Sequence, residues 1–507
     1  MVSMKSLSIW ASSLLYATLL RGCSASDSHL GDEHDIGPGL GSKLSNGASI
    51  YFPGNAEFSN ATARWSGYGA PNISVVVEVA NQWDVAETVK YANRHHVPFI
   101  AINGGHGNIG TLENVHHGIE IWLHKLNAVA ISDVGNTATF GGGVLSVDVI
   151  NALWAANKQT VTGVCDCTGF LGPALGGGHG YLQGQYGLIS DNFVSLEVVT
   201  ADGELRIVTP TGPNSDLFWA MQGAGHNFGI VTSVTMKIYD VPGDGTWAFE
   251  SFTFTQDKLE ALFEYLNTVG DDGNQAVDLA YWVTFAREED VDPANPIITI
   301  FVVQSNAATI DAEVSESLHD LGPVVSEAHA GPYTSVSSWT EFNLGSRACG
   351  KGGPSMIRFP INLKQYDIPT QRAAFNALAK GTLEHPGLQH STIMLEGYSV
   401  QAVKAVDEVS SAYAHRADHL LVSPVIIYMN ETDRAPALEF GDQLRSIFHA
   451  GSGESELHAY VNYAAGTEAL ETMYGYEPWR QSKLSALKKK YDPTNRFGFY
   501  APIPAAR

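Results

Sequence analysis

The chain has few cysteines, few basic residues and no repetitive tract, and each absence excludes a class of protein. Only 4 of its 507 residues are cysteine, so it is not a small disulfide-stapled scaffold. Basic residues number 29 against 53 acidic ones, and a net charge of −24 repels the phosphate backbone of nucleic acids. No fixed-period repeat occurs, and no group of His, Cys and Asp has the spacing of metal ligands. We therefore expect neither a nucleic-acid partner nor a metal site.

An apolar stretch lies at the N-terminus. Lys5 precedes an apolar run from Leu7 to Leu20, and small residues at 23–25 form a cleavage site. This pattern is typical of a secretory signal peptide and is too short for a mature membrane anchor. The expected product is secreted, with N-glycosylation possible at three sequons: Asn60, Asn72 and Asn430.

Removal of residues 1–25 would change both the charge and the cysteine count. It would leave 27 basic and 53 acidic residues, a net charge near −26. Three cysteines would remain, at positions 165, 167 and 349. An odd number in an oxidising compartment leaves at least one thiol without an intramolecular disulfide partner.

Glycine, in contrast, is abundant: 51 residues, about one in ten, against a usual share of ~7%. The first glycine block, residues 100–110, joins an apolar strand to a turn that contains His106. Glycines allow backbone N–H groups to approach a ligand closely, and the imidazole supplies a nucleophilic nitrogen. The block also matches the G-x-G-x-x-G spacing, but residues 111–118 lack the helical apolar period that a dinucleotide fingerprint requires. We therefore reject a nicotinamide-binding motif.

Two further glycine blocks follow. Residues 163–180 contain seven glycines in eighteen positions, too many for a helix or a strand interior. Such a loop suits an extended ligand laid along backbone amides, with residues 176–178 as a concave anion site. Residues 216–232 predict a short amphipathic helix, a glycine turn and a buried strand.

Apolar periodicity predicts an alternation of strands and helices up to about residue 238. Strands are expected at 75–79, 97–102 and 137–141, helices at 84–95 (capped by Asp84) and 147–157, and a hairpin at 194–209. A composition shift at 241–245 indicates a domain boundary. Beyond it, alternating strands at 247–254 and 297–304 flank a helix at 256–269, which predicts an antiparallel sheet with helices.

Four blocks, in this order and spacing, resemble the berberine bridge enzyme-like branch of the vanillyl-alcohol oxidase superfamily. They are residues 104–106, 165–180, 216–232 and 489–497, and the resemblance covers roughly residues 50 to 500. It implies an α+β fold with a two-part FAD-binding domain of the vanillyl-alcohol oxidase type. A substrate domain with an antiparallel sheet, covered by helices, would lie over the flavin ring.

The resemblance also implies a domain division. The expected segments are a signal peptide at 1–25, an FAD-binding domain with an N-terminal arm at 26–240, a substrate domain at 241–455 and a C-terminal segment at 456–507 that returns to the FAD-binding domain.

By the same resemblance, FAD is bonded covalently to His106 through the methyl carbon at ring position 8. Cys165 matches the cysteine that forms a second bond, to flavin C6, in doubly linked members. A disulfide from Cys165 or Cys167 to Cys349 is the competing interpretation. The remaining expected FAD contacts lie around the pyrophosphate, along the second glycine block and at the adenine or ribose end: Asn103, Gly104, Gly105, Gly107 and Asn108; Gly172, Gly176, Gly177, Gly178 and Gly180; and Gly229, Ile230 and Val231.

The family often draws its catalytic base from a Tyr-x-Asn-Tyr segment in a late substrate strand, here residues 460–463. The expected catalytic residues are Tyr460 and Asn462, with Glu396 as an alternative base. A free tyrosine has a pKa near 10, so Tyr460 would need the flavin or a cation close by. Ala465 replaces an aspartate of the plant enzymes, which argues against a plant-type substrate.

These features predict a secreted FAD-dependent oxidase acting in secondary metabolism. It would transfer hydride from an alcohol-type small metabolite to the flavin, with O2 as the acceptor and H2O2 as the product. Its expected partners are this small molecule and O2, with no membrane and no nucleic acid. An oligosaccharide oxidase and an oxidation-coupled cyclase of a natural-product pathway stay open as alternatives. A non-catalytic binding module is the alternative from a different class, and a bound, reducible flavin would exclude it.

Overall fold

The computed structural model describes Ile36, residues 39–270 and residues 275–506. The predicted signal peptide lies outside these residues. Within them, strands form three large sheets and one two-stranded ribbon. No helix in the described part of the chain is long and apolar enough to cross a membrane.

The first sheet has four strands in the order β1-β2-β4-β3 and two flanking helices. These elements are β1 (Ser49–Tyr51), α1 (Ala56–Thr62), β2 (Ile73–Glu78), α2 (Gln82–Arg94), β3 (Phe99–Ile102) and β4 (Gly118–Trp122). A short 3-10 turn, Gly110–Asn114, follows β3 and the His106 turn, which agrees with the rejection of a nicotinamide fingerprint.

The predicted cap of α2 is wrong. Asn81 caps the helix, because its side chain accepts the backbone N–H groups of Trp83 and Asp84. Asp84 instead lies in the first turn, where its carboxylate accepts hydrogen bonds from the backbone N–H groups of Ser45 and Ala80.

The second sheet is antiparallel, with five strands in the order β5-β6-β10-β8-β9, and β7 pairs with β11 beside it. In chain order the elements are β5 (Val129–Ile131), β6 (Thr137–Gly141), α3 (Ser146–Ala155), β7 (Lys158–Gln159), α4 (Leu171–Leu175), α5 (Gln183–Tyr186), β8 (Phe193–Val199), β9 (Leu205–Val208), α6 (Ser215–Met221), β10 (Ile230–Lys237) and β11 (Tyr239–Asp240). The predicted hairpin corresponds to β8 and β9, and the third glycine block gives α6 and β10.

The third sheet is antiparallel, with β15-β12-β14-β13-β18-β19-β16 in order and β17 paired to β19. Its elements are β12 (Thr246–Phe254), α7 (Leu259–Gly270), β13 (Leu279–Ala286), β14 (Ile297–Ser305), α8 (Ala312–Asp320), β15 (Val325–Pro332), α9 (Tyr333–Trp339), β16 (Ser355–Arg358), β17 (Ile361–Leu363), α10 (Ile368–Glu384), β18 (Thr392–Tyr398), α11 (Gln401–Lys404), β19 (Leu420–Tyr428) and α12 (Arg434–Gly451).

The two faces of this third sheet have different environments. Along β18, Ile393 and Leu395 belong to an apolar core shared with Phe263 of α7, Phe375 of α10 and Phe440 of α12. Alternate residues of a strand point to opposite faces, so the positions between them point away from these helices. Met394, Glu396 and Tyr398 accordingly line a cavity on the other face.

The last helices, α13 (Leu470–Tyr474) and α14 (Pro478–Tyr491), pack beside the second sheet region. The buried Lys488 ammonium donates to the Asn227 carbonyl at 2.9 Å, and the Tyr491 hydroxyl donates to Asp216 at 2.7 Å. We propose the division at about residues 240 and 455, because the chain enters the third sheet at β12 and returns to Asp216 and Asn227 after α12.

Candidate active site

A cavity of about 320 Å³ brings together residues from both glycine loops, the third sheet and the C-terminal segment. Its volume lies at the lower end of the ~300–1,000 Å³ range of small-molecule sites. A larger cavity, of about 840 Å³, lies at Lys364, Tyr366 and Lys404 and contains none of the glycine motifs. We therefore take the smaller cavity as the candidate active site.

Many of the predicted site residues line this cavity. They are Asn103, Gly104, Gly105, His106, Gly107, Asn108, Cys165, Gly172, Glu396, Tyr460 and Asn462. The other predicted FAD contacts lie outside its wall: Gly176, Gly177, Gly178, Gly180, Gly229, Ile230 and Val231. Added Cβ atoms at Gly176 and Gly177 would collide with Asn462 and Tyr413, so these glycines allow close packing of protein against protein.

The two glycine loops meet at Gly104. A Cβ atom at this position would lie 2.6 Å from the backbone nitrogen of Gly169 and 2.8 Å from the carbonyl oxygen of Cys167. Gly105 follows with a φ of +72°, a left-handed conformation that favours glycine. Neither loop can therefore hold its position with a larger residue at Gly104.

We expect Gly104→Ala to lower the free energy of unfolding by about 1–3 kcal/mol, because backbone must shift to admit the methyl group. Gly172→Ala is the matched control, since a Cβ atom there meets nothing within 4 Å and should change stability by less than about 0.5 kcal/mol. Thermal unfolding midpoints of the two variants measure the difference. Equal midpoints would contradict the close approach of the loops.

His106 lies at the cavity wall with its Nε2 atom buried and without a hydrogen-bond partner among the described residues. Its ring stacks on Trp65, with centroids 5.7 Å apart. Burial, followed by the positive charges of Lys351, Arg64 and Arg358, lowers the pKa of His106 to about 3. The imidazole is therefore neutral near neutral pH, so one ring nitrogen of this cavity-lining residue keeps a lone pair.

The three cysteines cluster beside His106, and the structure decides between the predicted pairings. Cys167 and Cys349 form a disulfide, which leaves Cys165 as a free thiol in the cavity wall. The Cys165 sulfur lies 3.4 Å from that of Cys167 and 3.8 Å from that of Cys349. A disulfide at Cys165 is thus wrong, and its thiol stays available to a ligand, although burial raises its pKa.

The Tyr-x-Asn-Tyr segment is a 3-10 turn, Val461–Tyr463, instead of the expected strand. The Asn462 amide donates to the Tyr460 hydroxyl at 2.6 Å and to the Pro173 carbonyl at 2.8 Å. Burial raises the pKa of Tyr460, and the hydrogen bond from Asn462 opposes this increase. Tyr460 is therefore a protonated phenol that Asn462 holds in position.

Glu396, the alternative base, is the carboxylate that the third sheet presents to the cavity. It accepts hydrogen bonds from the hydroxyls of Tyr398 at 2.7 Å and Tyr463 at 2.9 Å. Burial raises the pKa of Glu396, while the positive charge of Arg358 opposes this effect. A carboxylate with a raised pKa is suited to general-base work near neutral pH.

Sequence reasoning missed the cationic side chains of this site. Arg358, at the end of β16, lies over the Tyr463 ring at 4.1 Å from its centroid and also lines the cavity. Arg64 donates to the Gly107 carbonyl. A Cβ atom built at Gly105 would lie 3.6 Å from Lys351 Nζ. None of these cationic residues belongs to one of the four blocks that carry the family resemblance, so those blocks could not have identified them.

The residues present fit a flavin. The neutral His106 nitrogen without a partner, the free Cys165 thiol and the glycine backbone of both loops face one cavity. Aromatic rings of Trp65, Trp282 and Tyr463 line the same space and suit a planar ring system.

Comparison with known proteins agrees with this site. Residues 73–209 match the FAD binding domain family, and residues 459–504 match the berberine and berberine-like family. The chain is 44% identical over 468 residues to the FAD-linked oxidoreductase chyH of Penicillium rubens, covering 92% of this chain and 93% of that protein.

Two solved structures have the same fold at low identity. BBE-like 1 of Physcomitrella patens is 20% identical with a TM-score of 0.79, covering 92% of this chain and 98% of that one. The xylooligosaccharide oxidase of Myceliophthora thermophila is 18% identical with a TM-score of 0.78, covering 92% and 99%. This chain belongs to the berberine bridge enzyme-like family of FAD-linked oxidoreductases, and FAD is its cofactor.

Proposed function

We propose that this protein oxidises a small alcohol with Glu396 as the general base. The observation that carries the proposal is the position of this buried carboxylate in the same cavity wall as His106 and the free Cys165 thiol. Bound FAD supplies the two-electron acceptor for the substrate hydride, with O2 as the final acceptor and H2O2 as the product. A role in secondary metabolism is part of this proposal.

The polar side chains of the cavity have separate roles in the proposed reaction. Glu396 takes the hydroxyl proton of the substrate, while Tyr398 and Tyr463 hold the carboxylate by donating to its two oxygens. The guanidinium of Arg358 over the Tyr463 ring stabilises the negative charge of Glu396 before the proton arrives. Asn462 fixes the Tyr460 hydroxyl, which is positioned to orient the substrate.

Covalent attachment of FAD through His106 is part of the proposal. Acid precipitation of the wild-type protein should give a yellow pellet, with flavin on the peptide that contains His106. His106→Ala should remove flavin from the peptide that contains residue 106. A singly linked flavin then appears in the supernatant, whereas a doubly linked one stays in the pellet on the Cys165 peptide. Cys165→Ser is the matched control and should keep a yellow pellet.

Peptide masses from the same pellets test the second link. A flavin that joins the His106 and Cys165 peptides in the wild-type protein, and only the His106 peptide in Cys165→Ser, would support the doubly linked form. Absence of flavin from the His106 peptide of the wild-type pellet would contradict attachment at His106. Absence of flavin from pellet and supernatant of the wild-type protein would contradict the oxidase proposal.

Small alcohols are the proposed substrates because a hydroxyl group carries the proton that Glu396 would accept. The fold shared with a xylooligosaccharide oxidase keeps oligosaccharides as the alternative. A panel of small aliphatic and aromatic alcohols, with xylo- and chito-oligosaccharides beside them, distinguishes the two through peroxide release. Turnover of oligosaccharides alone would replace the small-alcohol proposal.

Secretion remains part of the proposal. The three sequon asparagines, Asn60, Asn72 and Asn430, are exposed, so each can accept a glycan. The N-terminal sequence of the protein recovered from the culture medium, together with a mass shift on glycosidase treatment, tests cleavage near residue 25. Recovery of the protein only inside the cells would contradict it.

A further inference from the structure

Three side chains of types that can bind a metal lie close together outside the cavity wall and take no part in the proposed oxidation. His415, Asp418 and His458 each offer a ligand atom, and these atoms all lie within 4.8 Å of one another. His415 and Asp418 belong to the segment between α11 and β19, and His458 lies between α12 and the Tyr460 turn. The fold therefore joins two segments that are forty residues apart in the chain.

The hydrogen bonds of His415 leave one nitrogen for a metal. Its Nε2 atom donates to the Thr472 carbonyl at 2.8 Å, so in the neutral ring Nδ1 carries the lone pair. Histidine ligands of metals commonly donate their other ring N–H to a backbone carbonyl in this way. His415 is buried, and its ring stacks on that of His458 with centroids 4.4 Å apart.

Asp418 and His458 complete a mixed nitrogen and oxygen donor set. His458 Nδ1 contacts Asp418 Oδ2 at 2.8 Å, and the Asp418 side chain is only 3% exposed. The His458 side chain is 24% exposed, so solvent can reach one side of the cluster. Ligand atoms about 2.1 Å from a tetrahedral zinc ion lie about 3.4 Å apart. On binding, the 2.8 Å contact between His458 Nδ1 and Asp418 Oδ2 would lengthen by about 0.6 Å, and a pair at the 4.8 Å limit would shorten by about 1.4 Å.

Charges around the cluster favour a cation. Glu456 and Glu454 interact with His458, Glu477 interacts with His415, and Lys364 interacts with Asp418. Lys364 is paired with Glu454 at 2.7 Å. Glu477 is paired with Arg480 at 3.1 Å. These two ion pairs neutralise Glu454 and Glu477, and they leave the negative charges of Asp418 and Glu456 beside the cluster.

We propose that His415, Asp418 and His458 form a site for a divalent transition metal of the zinc type, with a water molecule as the fourth ligand. Two imidazoles and one carboxylate are a common zinc ligand set. On binding, the proton shared by His458 Nδ1 and Asp418 leaves to solvent, and the nitrogen and oxygen bond to the metal.

A bound metal would hold the segment that contains Tyr460 in place. His458 lies two residues before Tyr460, and the Thr472 carbonyl that accepts from His415 also accepts the backbone N–H of Ala459 at 2.9 Å. On the other segment, the Tyr413 hydroxyl contacts His179, whose ring lies 4.7 Å from that of Tyr460. Bound metal therefore ties together the two segments that hold Tyr460.

The experiment uses purified holoprotein treated with a chelator and then dialysed against Zn²⁺. We expect one zinc per chain by elemental analysis and an unfolding midpoint a few degrees higher than with chelator. His458→Gln and Asp418→Asn should each weaken zinc binding by at least about tenfold. His116→Gln, which changes an exposed histidine outside the cluster, should bind zinc as the wild type does.

X-ray absorption at the zinc edge of the wild-type protein identifies the ligands even if a variant fails to fold. Two imidazoles with oxygen ligands at about 2.0–2.2 Å would support the site, whereas a sulfur ligand at about 2.3 Å would assign the zinc to Cys165. A wild-type protein that retains no zinc after dialysis, or variants that bind it as tightly as the wild type, would overturn the proposal.

Discussion

Glu396→Gln is expected to lower kcat by about 10²- to 10⁴-fold, because glutamine keeps the shape of the side chain but cannot accept the substrate proton. The FAD content and the unfolding midpoint should stay close to those of the wild type. Stopped-flow reduction of the flavin by an accepted alcohol measures the step directly. Tyr460→Phe should slow the same step by less than about tenfold, because Tyr460 orients the substrate in this proposal.

The pH profile provides a second test of the same residue. A base must be deprotonated to act, so the rate of flavin reduction in the wild type should fall as pH decreases through the Glu396 pKa. Burial raises this pKa above the ordinary glutamate value, which moves the decline toward neutral pH. Glu396→Gln should remove this acidic limb. A limb that persists in Glu396→Gln and disappears in Tyr460→Phe would assign the base to Tyr460.

Cys349→Ser is expected to lower the free energy of unfolding by about 2–5 kcal/mol, because the disulfide with Cys167 closes a loop of 182 residues in the unfolded chain. The cavity wall should also loosen. The 3-10 turn Arg347–Cys349 contributes the Ala348 carbonyl that accepts from Trp65, and Ala348 itself lines the cavity. The unfolding midpoint, with and without reductant, measures the effect.

The control for this variant is Cys165→Ser, which leaves the disulfide intact. Reductant should lower the midpoint of the wild type and of Cys165→Ser, and it should change Cys349→Ser little. Equal midpoints of Cys349→Ser and the wild type under oxidising conditions would show that the bond does not stabilise the protein.

Local sequence patterns predicted much of the fold. The alternation of apolar and polar residues predicted β12 and β14, and the glycine blocks located both loops of the FAD-binding region. Such patterns succeed because periodicity and backbone freedom act over a few neighbouring residues. These patterns failed where two nearby residues could both cap the same helix. Asn81 and Asp84 are both good caps, and only the tertiary contacts of Asp84 with Ser45 decided between them.

Some residues of the candidate site were predicted from the sequence, and others were not. His106, Cys165 and Glu396 were found from motifs or from their neighbours in the chain, and all three line one cavity. Arg358, which lines the cavity, and Lys351, whose charge acts on His106, were not found, because neither belongs to one of the four blocks. The turn at residues 461–463 was expected as a strand, since its aromatic residues suit a strand equally well.

The sequence by itself determined the family and the FAD cofactor, because these depend on residue types at fixed spacing along the chain. Only the tertiary structure decided which cysteine pairs with Cys349, and it brought His458 beside His415 and Asp418. These relations join residues 182 and about forty positions apart, and chain spacing at that range carries no information on distance in the folded protein. The packing of the C-terminal segment against the rest of the fold brings His458 close to His415 and Asp418.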